Sequence, residues 1–211
     1  MVAKIIVGTD EKGFVYPKVQ ERTDICPICK NRIADVANLD YKVKNKKGNF
    51  LGTYDHYILV SQKFKDFCEE NHYEGLEFIQ LPKSPLFYYF IVHNIYELDY
   101  KESLFLNYRD CCGSYDETVI TPRYCKQDFY MDTDDFICRS EYRFASFSNK
   151  SYLTVVGLET ADKLKKAGFK YTSKREKIIE IFSHEDRYLS AKQVQQLLET
   201  DFPNMSYDTI Y

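Results

Sequence analysis

Two helix-start signatures of the capping-box type lie in the last quarter of the chain, and they constrain its fold more than any other stretch. Ser173–Glu176 and Ser190–Gln193 each place a serine three residues before a Glu or Gln. The two side chains can then bond each other's backbone N–H groups at the start of a helix. Apolar residues follow at helical spacing, and they are Ile178, Ile179 and Phe182 in the first case and Val194, Leu197 and Leu198 in the second. The pattern predicts two short helices, each with one buried face.

Two more helices are predicted on either side of this pair. Upstream, one face of a helix over residues 158–167 is lined by Leu158, Ala161 and Leu164. Gly168 can end that helix in the left-handed conformation, with Phe169 folding back on the last turn as in a Schellman motif. Downstream, a further helix begins at Ser206. Four short helices joined by tight polar turns favour a helix-turn-helix module.

This helical stretch resembles the N-terminal DNA-binding half of the ferric uptake regulator (Fur) family, and within that family its zinc-sensing Zur branch. Three segments carry the resemblance in order along the chain, namely Leu164–Glu176, Arg187–Val194 and Asp201–Tyr211. The resemblance covers about 54 of the 211 residues. It implies a bacterial winged-helix segment that binds DNA in metal-responsive transcription control.

The resemblance also implies which residues contact DNA. It places a contacting turn at the start of a recognition helix, at Ser206, Tyr207, Thr209 and Tyr211, and phosphate-backbone contacts at Thr172, Lys174 and Arg175. In the family the recognition helix continues and is followed by a β-wing, a dimerisation domain and Cys/His metal sites. On this resemblance we expect the 211 residues to end inside the recognition helix and the winged helix to be incomplete. Because recognition helices work together with neighbouring phosphate contacts, we expect the chain to bind DNA weakly.

The first 157 residues have a different character, with short strand-like runs and many aromatic residues. A strand over 57–60, a helix carrying Phe64 and Phe67, and a strand over 75–79 form one predicted unit. The continuous apolar run 86–92 is typical of a central strand buried on both faces. The sequence therefore predicts an α+β chain, with a mixed α/β Cys-containing domain over 1–157 and an all-α segment over 158–211. The helix over 158–167 suits either part, so the junction is predicted between Gly157 and Tyr171.

The Cys26-Pro-Ile-Cys29 spacing is typical of a zinc knuckle or of a redox pair, although incidental cysteines are an alternative. We favour zinc, because polar residues follow the motif where a redox site would open a helix. Cys112 is the best further ligand, since Gly113 lets the backbone amides turn toward the sulfur, and either Cys111 or Cys125 completes the set. The remaining cysteines, Cys68 and Cys138, are predicted to be core residues.

Charge and motif content argue against several other functions. The formal net charge is −3, and residues 158–211 contain nine basic and nine acidic residues, so DNA contacts would depend on local placement. The four histidines, at 56, 72, 93 and 184, show no metal-ligand or catalytic spacing, and we find no phosphate-binding glycine loop. We predict no enzyme activity and no small-molecule substrate. No apolar run reaches membrane-spanning length and no signal peptide is recognisable, so a cytoplasmic protein with reduced thiols is expected.

A second, distant resemblance concerns residues 1–157. They are similar to immunity proteins of bacterial polymorphic toxin systems in the early Cys26–Cys29 motif, in the Leu59–Ser61 segment that precedes a helix and Gly75–Phe78, and in the late Cys112–Gly113 pair. This resemblance implies the alternative function, a non-enzymatic protein that binds and neutralises a toxin, with the C-terminal helices as a passenger.

Overall fold

The structure is a computed structural model that describes residues 3–97, 100–101, 103–119, 133–169 and 191–199. It divides into two compact units, Met1–Phe169 and Lys170–Tyr211. The division into 1–157 and 158–211 that the sequence suggests stays a prediction. The described residues contain several sheets and few helices, which confirms the α+β class.

The described residues contain twelve strands and three α-helices. In chain order the strands are β1 Ala3–Ile6, β2 Thr9–Asp10, β3 Phe50–Gly52, β4 Ile58–Ser61, β5 Leu76–Leu81, β6 Ser84–Val92, β7 Ile95–Tyr96, β8 Leu104–Arg109, β9 Ser114–Val119, β10 Ile137–Ser140, β11 Ala145–Ser146 and β12 Thr154–Gly157. The helices are α1 Gln62–Glu70, α2 Leu158–Lys166 and α3 Ala191–Leu198. Short 3-10 turns lie at Val19–Glu21 and Phe147–Asn149.

Three sheets make up the first unit. The strand orders are β2-β3-β4-β6-β5 in the five-stranded sheet, β1-β12-β10-β7 in the four-stranded sheet and β11-β9-β8 in the three-stranded sheet. Most pairings are antiparallel, and β8 and β9 form a hairpin whose turn carries two of the cysteines. The sheets matter for the site because they fix two distant loops in space.

Strand β6 is the internal strand that the apolar run predicts. It pairs antiparallel with β4 and β5, and its neighbouring residues Tyr88, Tyr89 and Phe90 are all buried. Side chains alternate between the two faces of a strand. Tyr89 therefore packs in the core cluster that includes buried residues of the 11–57 segment. Phe90 instead faces α1, with its ring centroid 5.3 Å from that of Phe64. Burial on both faces explains why the run lacks polar alternation.

Helix α1 begins and packs as the sequence predicts. Ser61 caps its first turn, with its side-chain oxygen accepting a hydrogen bond from the Phe64 N–H at 3.3 Å. Its buried face consists of Phe64, Phe67 and Cys68. Cys68 is therefore a core residue, and burial raises the pKa of its thiol to about 12.

Helix α2 ends in the predicted Schellman motif. Gly168 adopts a φ of +76°, its N–H donates to the Lys165 carbonyl at 3.0 Å, and the Phe169 N–H donates to the Leu164 carbonyl at 3.0 Å. The Phe169 ring then packs edge-on at 5.3 Å from the Phe67 ring. This ring contact ties the end of α2 to α1, so α2 belongs to the first unit.

Helix α3 is the described part of the second unit, and its buried stripe is narrower than predicted. Val194 and Leu198 are fully buried, which confirms two of the three apolar positions. Leu197 is 48% exposed, so its prediction as a buried residue is wrong. Successive helical residues are rotated by roughly 100°. Positions four apart therefore point nearly the same way, whereas Leu197 points beside them.

A half-buried polar cluster around Asp135 connects α2 to the sheet beneath it and gives a pH prediction. The Asp135 carboxylate accepts hydrogen bonds from Lys163 and Tyr73, and from Thr160 at 2.8 Å. Burial alone would raise the pKa of Asp135, but the bonds from Lys163, Tyr73 and Thr160 and the Lys163 charge outweigh it and hold the pKa below its usual range.

Because the pKa of Asp135 is depressed on folding, its contribution to stability is present above the unfolded value near ~3.9 and is lost as pH falls through the folded value. We expect Asp135→Asn to be clearly less stable than the parent chain at pH 7. The difference should shrink below pH ~4. Urea unfolding of both chains between pH 3 and pH 7 measures this. A difference that stays constant over that range would contradict the assignment.

Candidate metal centre

The first cysteine pair lies in a tight turn whose backbone is closed by hydrogen bonds. Residues 25 and 32 form a β-bridge, the Cys26 N–H donates to the Asn31 carbonyl at 2.7 Å, and the Lys30 N–H donates to the Cys26 carbonyl at 3.0 Å. Lys30 adopts a left-handed φ of +64°. The N–H groups of Cys29 and Ile28 donate to the Cys26 sulfur. The turn therefore presents both sulfurs on one side, as a zinc knuckle requires.

A buried charge network anchors this turn to the five-stranded sheet. Asp24 is fully buried and accepts bonds from Arg22 Nε at 3.0 Å, from Arg22 Nη2 at 2.7 Å and from the Tyr57 hydroxyl. Arg32 lies 3.4 Å from the same carboxylate, and its guanidinium carbon is 4.0 Å from the Tyr57 ring centroid. Burial opposes ionisation of Asp24, yet the Arg22 and Tyr57 bonds and the two arginine charges lower its pKa.

The second cysteine pair lies in the turn of the β8–β9 hairpin. The Cys112 and Gly113 N–H groups donate to the Arg109 carbonyl at 3.2 Å and 2.9 Å. Gly113 adopts a φ of +63°, which glycine reaches without steric cost. The Ser114 N–H can then donate to the Cys112 sulfur. This is the geometry that the Cys112–Gly113 pair predicts.

The two turns bring four thiols together. The Cys26 and Cys111 sulfurs are 3.8 Å apart, the Cys29 and Cys112 sulfurs are 3.4 Å apart, and all four lie within 4.8 Å of one another. Four sulfurs at ~2.3 Å from one tetrahedral zinc ion would be about 3.8 Å apart. The donor set and its spacing therefore fit a divalent ion that prefers thiolates.

The cluster contains Cys111, whereas the alternative ligand Cys125 lies outside the described residues. Cys138 is a buried residue of β10, and burial raises the pKa of its thiol to about 11. Cys68 and Cys138 are therefore inert core thiols, as predicted.

Electrostatics within the cluster favour a bound cation. The N–H groups of Cys29 and Ile28 lower the pKa of the Cys26 thiol to about 7. Desolvation of the Cys111 sulfur raises the pKa of that thiol, and the neighbouring Cys29 and Cys26 thiols raise it further, to about 12. Ionisation of Cys111 beside its neighbouring thiols is therefore opposed in the absence of a cation. A divalent metal removes this opposition, because it deprotonates the thiols that coordinate it.

Polar residues around the cluster support the hairpin, and sequence reasoning missed them. The Asn31 side-chain amide donates to the Asp116 carboxylate at 3.1 Å and lies 4.0 Å from the Cys112 sulfur. Arg109 Nε donates to the same carboxylate at 2.8 Å. The buried Lys150 ammonium donates to Ser114 Oγ at 2.8 Å, at the start of β9. Lys150 and Arg109 place positive charge close to a site that would carry four thiolates.

The histidines and the DNA-contact residues complete the comparison with the sequence. His93 Nε2 lies 2.9 Å from a Glu77 carboxylate oxygen. The prediction that the chain has no enzyme activity stays a prediction. The predicted DNA-contact residues all lie outside the described residues, and they are Thr172, Lys174, Arg175, Ser206, Tyr207, Thr209 and Tyr211. Of the helices that are described, none is long and apolar enough to cross a membrane.

Comparison with known proteins concerns the C-terminal part of the chain. A sequence model described as the ferric uptake regulator family matches residues 166–211. A ferric uptake regulation protein of Staphylococcus epidermidis is 50% identical over 48 residues, which cover 23% of this chain and 34% of that protein. The protein of the same name from Staphylococcus aureus strain COL is 48% identical over 48 residues, which cover 23% of this chain and 35% of that protein.

The chain therefore spans about a third of the length of these relatives. No solved structure matches it significantly. The resemblance to the Zur branch and the resemblance of residues 1–157 to immunity proteins stay predictions. The comparisons support the Fur-like interpretation of the C-terminal segment, because residues 166–211 are similar to the ferric uptake regulator family model.

Proposed function

We propose that residues 1–169 form a domain stabilised by one zinc ion, bound by Cys26, Cys29, Cys111 and Cys112. The observation that carries the proposal is the convergence of four thiols from two loops within 4.8 Å. A closed set of four sulfurs with no water position is typical of structural zinc rather than catalytic zinc. The ion would cross-link turns that are 83 to 85 residues apart in sequence.

Zinc content tests this proposal. Protein purified without chelator should contain about one zinc per chain, and Cys29→Ser should lose most of it. Cys68→Ala is the matched control, because Cys68 is a buried cysteine of α1 outside the cluster. It should lower stability and keep the zinc. A folded parent chain without metal, or equal zinc in all three proteins, would contradict the proposal.

We further propose that the C-terminal segment is a DNA-binding segment of Fur type that acts in metal-responsive transcription control. The match to residues 166–211 and the identity of about half over 48 residues support this proposal. The resemblance assigns Ser206, Tyr207, Thr209 and Tyr211 to base and groove contacts. It assigns Thr172, Lys174 and Arg175 to the phosphates.

A salt-titrated binding assay on an AT-rich palindromic operator tests the DNA proposal. We expect the 211-residue chain to bind this operator with an affinity that falls steeply as salt rises. Arg175→Glu should lower the affinity about tenfold and reduce the salt dependence by about one phosphate contact. Lys83→Glu makes the same charge change in the first unit and should leave binding unchanged. Binding that is absent, or that responds equally to both changes, would contradict the proposal.

A further inference from the structure

The four thiols of the cluster differ in their access to solvent. Cys26 is buried, Cys29 and Cys112 are half-buried, and Cys111 is exposed. Cys111 is therefore the residue of the cluster that a reagent from solvent meets first. The reason lies in the way the two turns are built.

The two turns have the same backbone hydrogen-bond pattern, but one cysteine ligand lies at a different position in the second turn than in the first. In the first turn the Cys26 carbonyl accepts from the Lys30 N–H at 3.0 Å, and in the second the Arg109 carbonyl accepts from the Gly113 N–H at 2.9 Å. The donor residue has a positive φ in both turns, +64° at Lys30 and +63° at Gly113. Cys29 therefore corresponds to Cys112, and Cys26 corresponds to Arg109.

Under this correspondence Cys111 occupies the place that Ile28 has in the first turn. Ile28 is the tip of its turn and is 75% exposed. Arg109 corresponds to the first ligand, Cys26, but it cannot coordinate a metal. Its side chain is 49% exposed and pairs with Asp116, with Nη2 2.6 Å from a carboxylate oxygen. The fourth sulfur of the centre is thus supplied from the tip of a turn.

We propose that Cys111 is the oxidation site of this centre, and that Cys26 is the cysteine that resolves it. This inference rests on the proposed zinc site, because the metal holds Cys111, the exposed residue of the four, as a thiolate. The oxidant is a hydroperoxide, which reacts with thiolates that solvent can reach. Cys26 is the resolving partner because its sulfur lies 3.8 Å from that of Cys111, and a disulfide needs the two sulfurs to approach to about 2.05 Å.

The chemistry takes two steps. The Cys111 thiolate attacks one oxygen of hydrogen peroxide, the O–O bond breaks, and a sulfenic acid and hydroxide form. The Cys26 thiolate then attacks the Cys111 sulfur, the S–O bond breaks, and a second hydroxide leaves as the disulfide forms. Two protons from solvent convert both hydroxides to water, so that two thiolates lose the two electrons that the peroxide gains. Only Cys29 and Cys112 then remain as ligands of the zinc ion, and the ion dissociates.

The test uses the full chain loaded with one zinc, treated with less than one equivalent of hydrogen peroxide. A chromogenic chelator records zinc release, and mass spectrometry of unreduced peptides identifies the first disulfide. We expect Cys26–Cys111 as the first product, formed in step with zinc release. A first disulfide between Cys29 and Cys112, or between Cys111 and Cys112, would overturn the inference.

A variant separates this inference from the zinc proposal. Zinc-loaded Cys111→Ser should release zinc to peroxide at least about tenfold more slowly than the parent chain, since the accessible thiolate is gone. An equal rate would overturn the inference while leaving the zinc site intact. If the Cys111→Ser variant holds zinc poorly, identification of the first disulfide in the parent chain still tests the inference. A parent chain that contains no zinc contradicts the proposed function, and the inference falls with it.

Discussion

Chelation of zinc at neutral pH is expected to destabilise the first unit strongly. The ion would cross-link the Cys26–Lys30 turn to the β8–β9 hairpin, because its four sulfur ligands come from these two turns and lie within 4.8 Å of one another. A ligand present at a thousand times its dissociation constant contributes about 4 kcal/mol to the free energy of unfolding. We therefore expect a loss of at least about 3 kcal/mol. The loss should be recovered when zinc is added back.

Thermal unfolding with and without EDTA measures the effect, and hydrogen exchange locates it. Protection should fall first in the backbone around Asn31 and Gly113, whose hydrogen bonds close the two turns. Cys29→Ser is the control, because EDTA should not change the thermal unfolding of a chain that cannot hold zinc. A parent chain whose unfolding is unchanged by EDTA would contradict a structural role for the metal.

Neutralising Asp24 is the second change with a large expected effect. Asp24→Asn keeps the shape of the side chain but removes the charge that faces the buried guanidiniums of Arg22 and Arg32. Breaking a buried ion pair by removing one partner typically costs about 3–5 kcal/mol, because it leaves charge uncompensated. Urea unfolding should show a loss of this size. Zinc affinity should fall too, since Asp24 anchors the turn that starts at Cys26.

Asp40→Asn is the matched control for this prediction. Asp40 pairs with Lys83 at 2.8 Å, but both side chains are largely exposed, and exposed pairs contribute little. We expect the stability of Asp40→Asn to equal that of the parent chain within error. Similar stabilities for Asp24→Asn and Asp40→Asn would show that the buried network does not anchor the turn.

Local features of the fold could be predicted because they depend on residues close together in sequence. Ser61 caps α1 three residues from its hydrogen-bond partner, and Gly168 ends α2 within the last turn of that helix. The apolar run of β6 likewise predicts burial on both faces without knowledge of its neighbours. Leu197 is the exception, because three neighbouring apolar positions on a helix do not reveal which two face the core.

The metal site could be predicted in part. The Cys26–Cys29 spacing and the glycine after Cys112 predict two turns that present sulfur, and both turns exist. The choice between Cys111 and Cys125 could not be made from the sequence. It depends on how β8 and β9 pair, and therefore on a contact between two residues that are 85 positions apart. Adjacent cysteines conform to no common ligand spacing.

The polar surroundings of the site could not be predicted at all. Asp24, Asp116 and Lys150 are charged residues of types that usually lie on the surface. Each is buried here because a partner from elsewhere in the chain satisfies it, such as Tyr57 for Asp24 and Ser114 for Lys150. Such pairings arise from tertiary structure and leave no periodic signal in the sequence.

X-ray absorption at the zinc edge of the full chain identifies the atoms that are bound to the metal. We expect one zinc per chain with four sulfur neighbours at about 2.3 Å and no nitrogen or oxygen bound to the ion. Cys111→Ser should show three sulfurs and one lighter ligand. A parent chain with nitrogen or oxygen ligands, or with no bound zinc, would contradict the assignment of Cys26, Cys29, Cys111 and Cys112 as the metal centre.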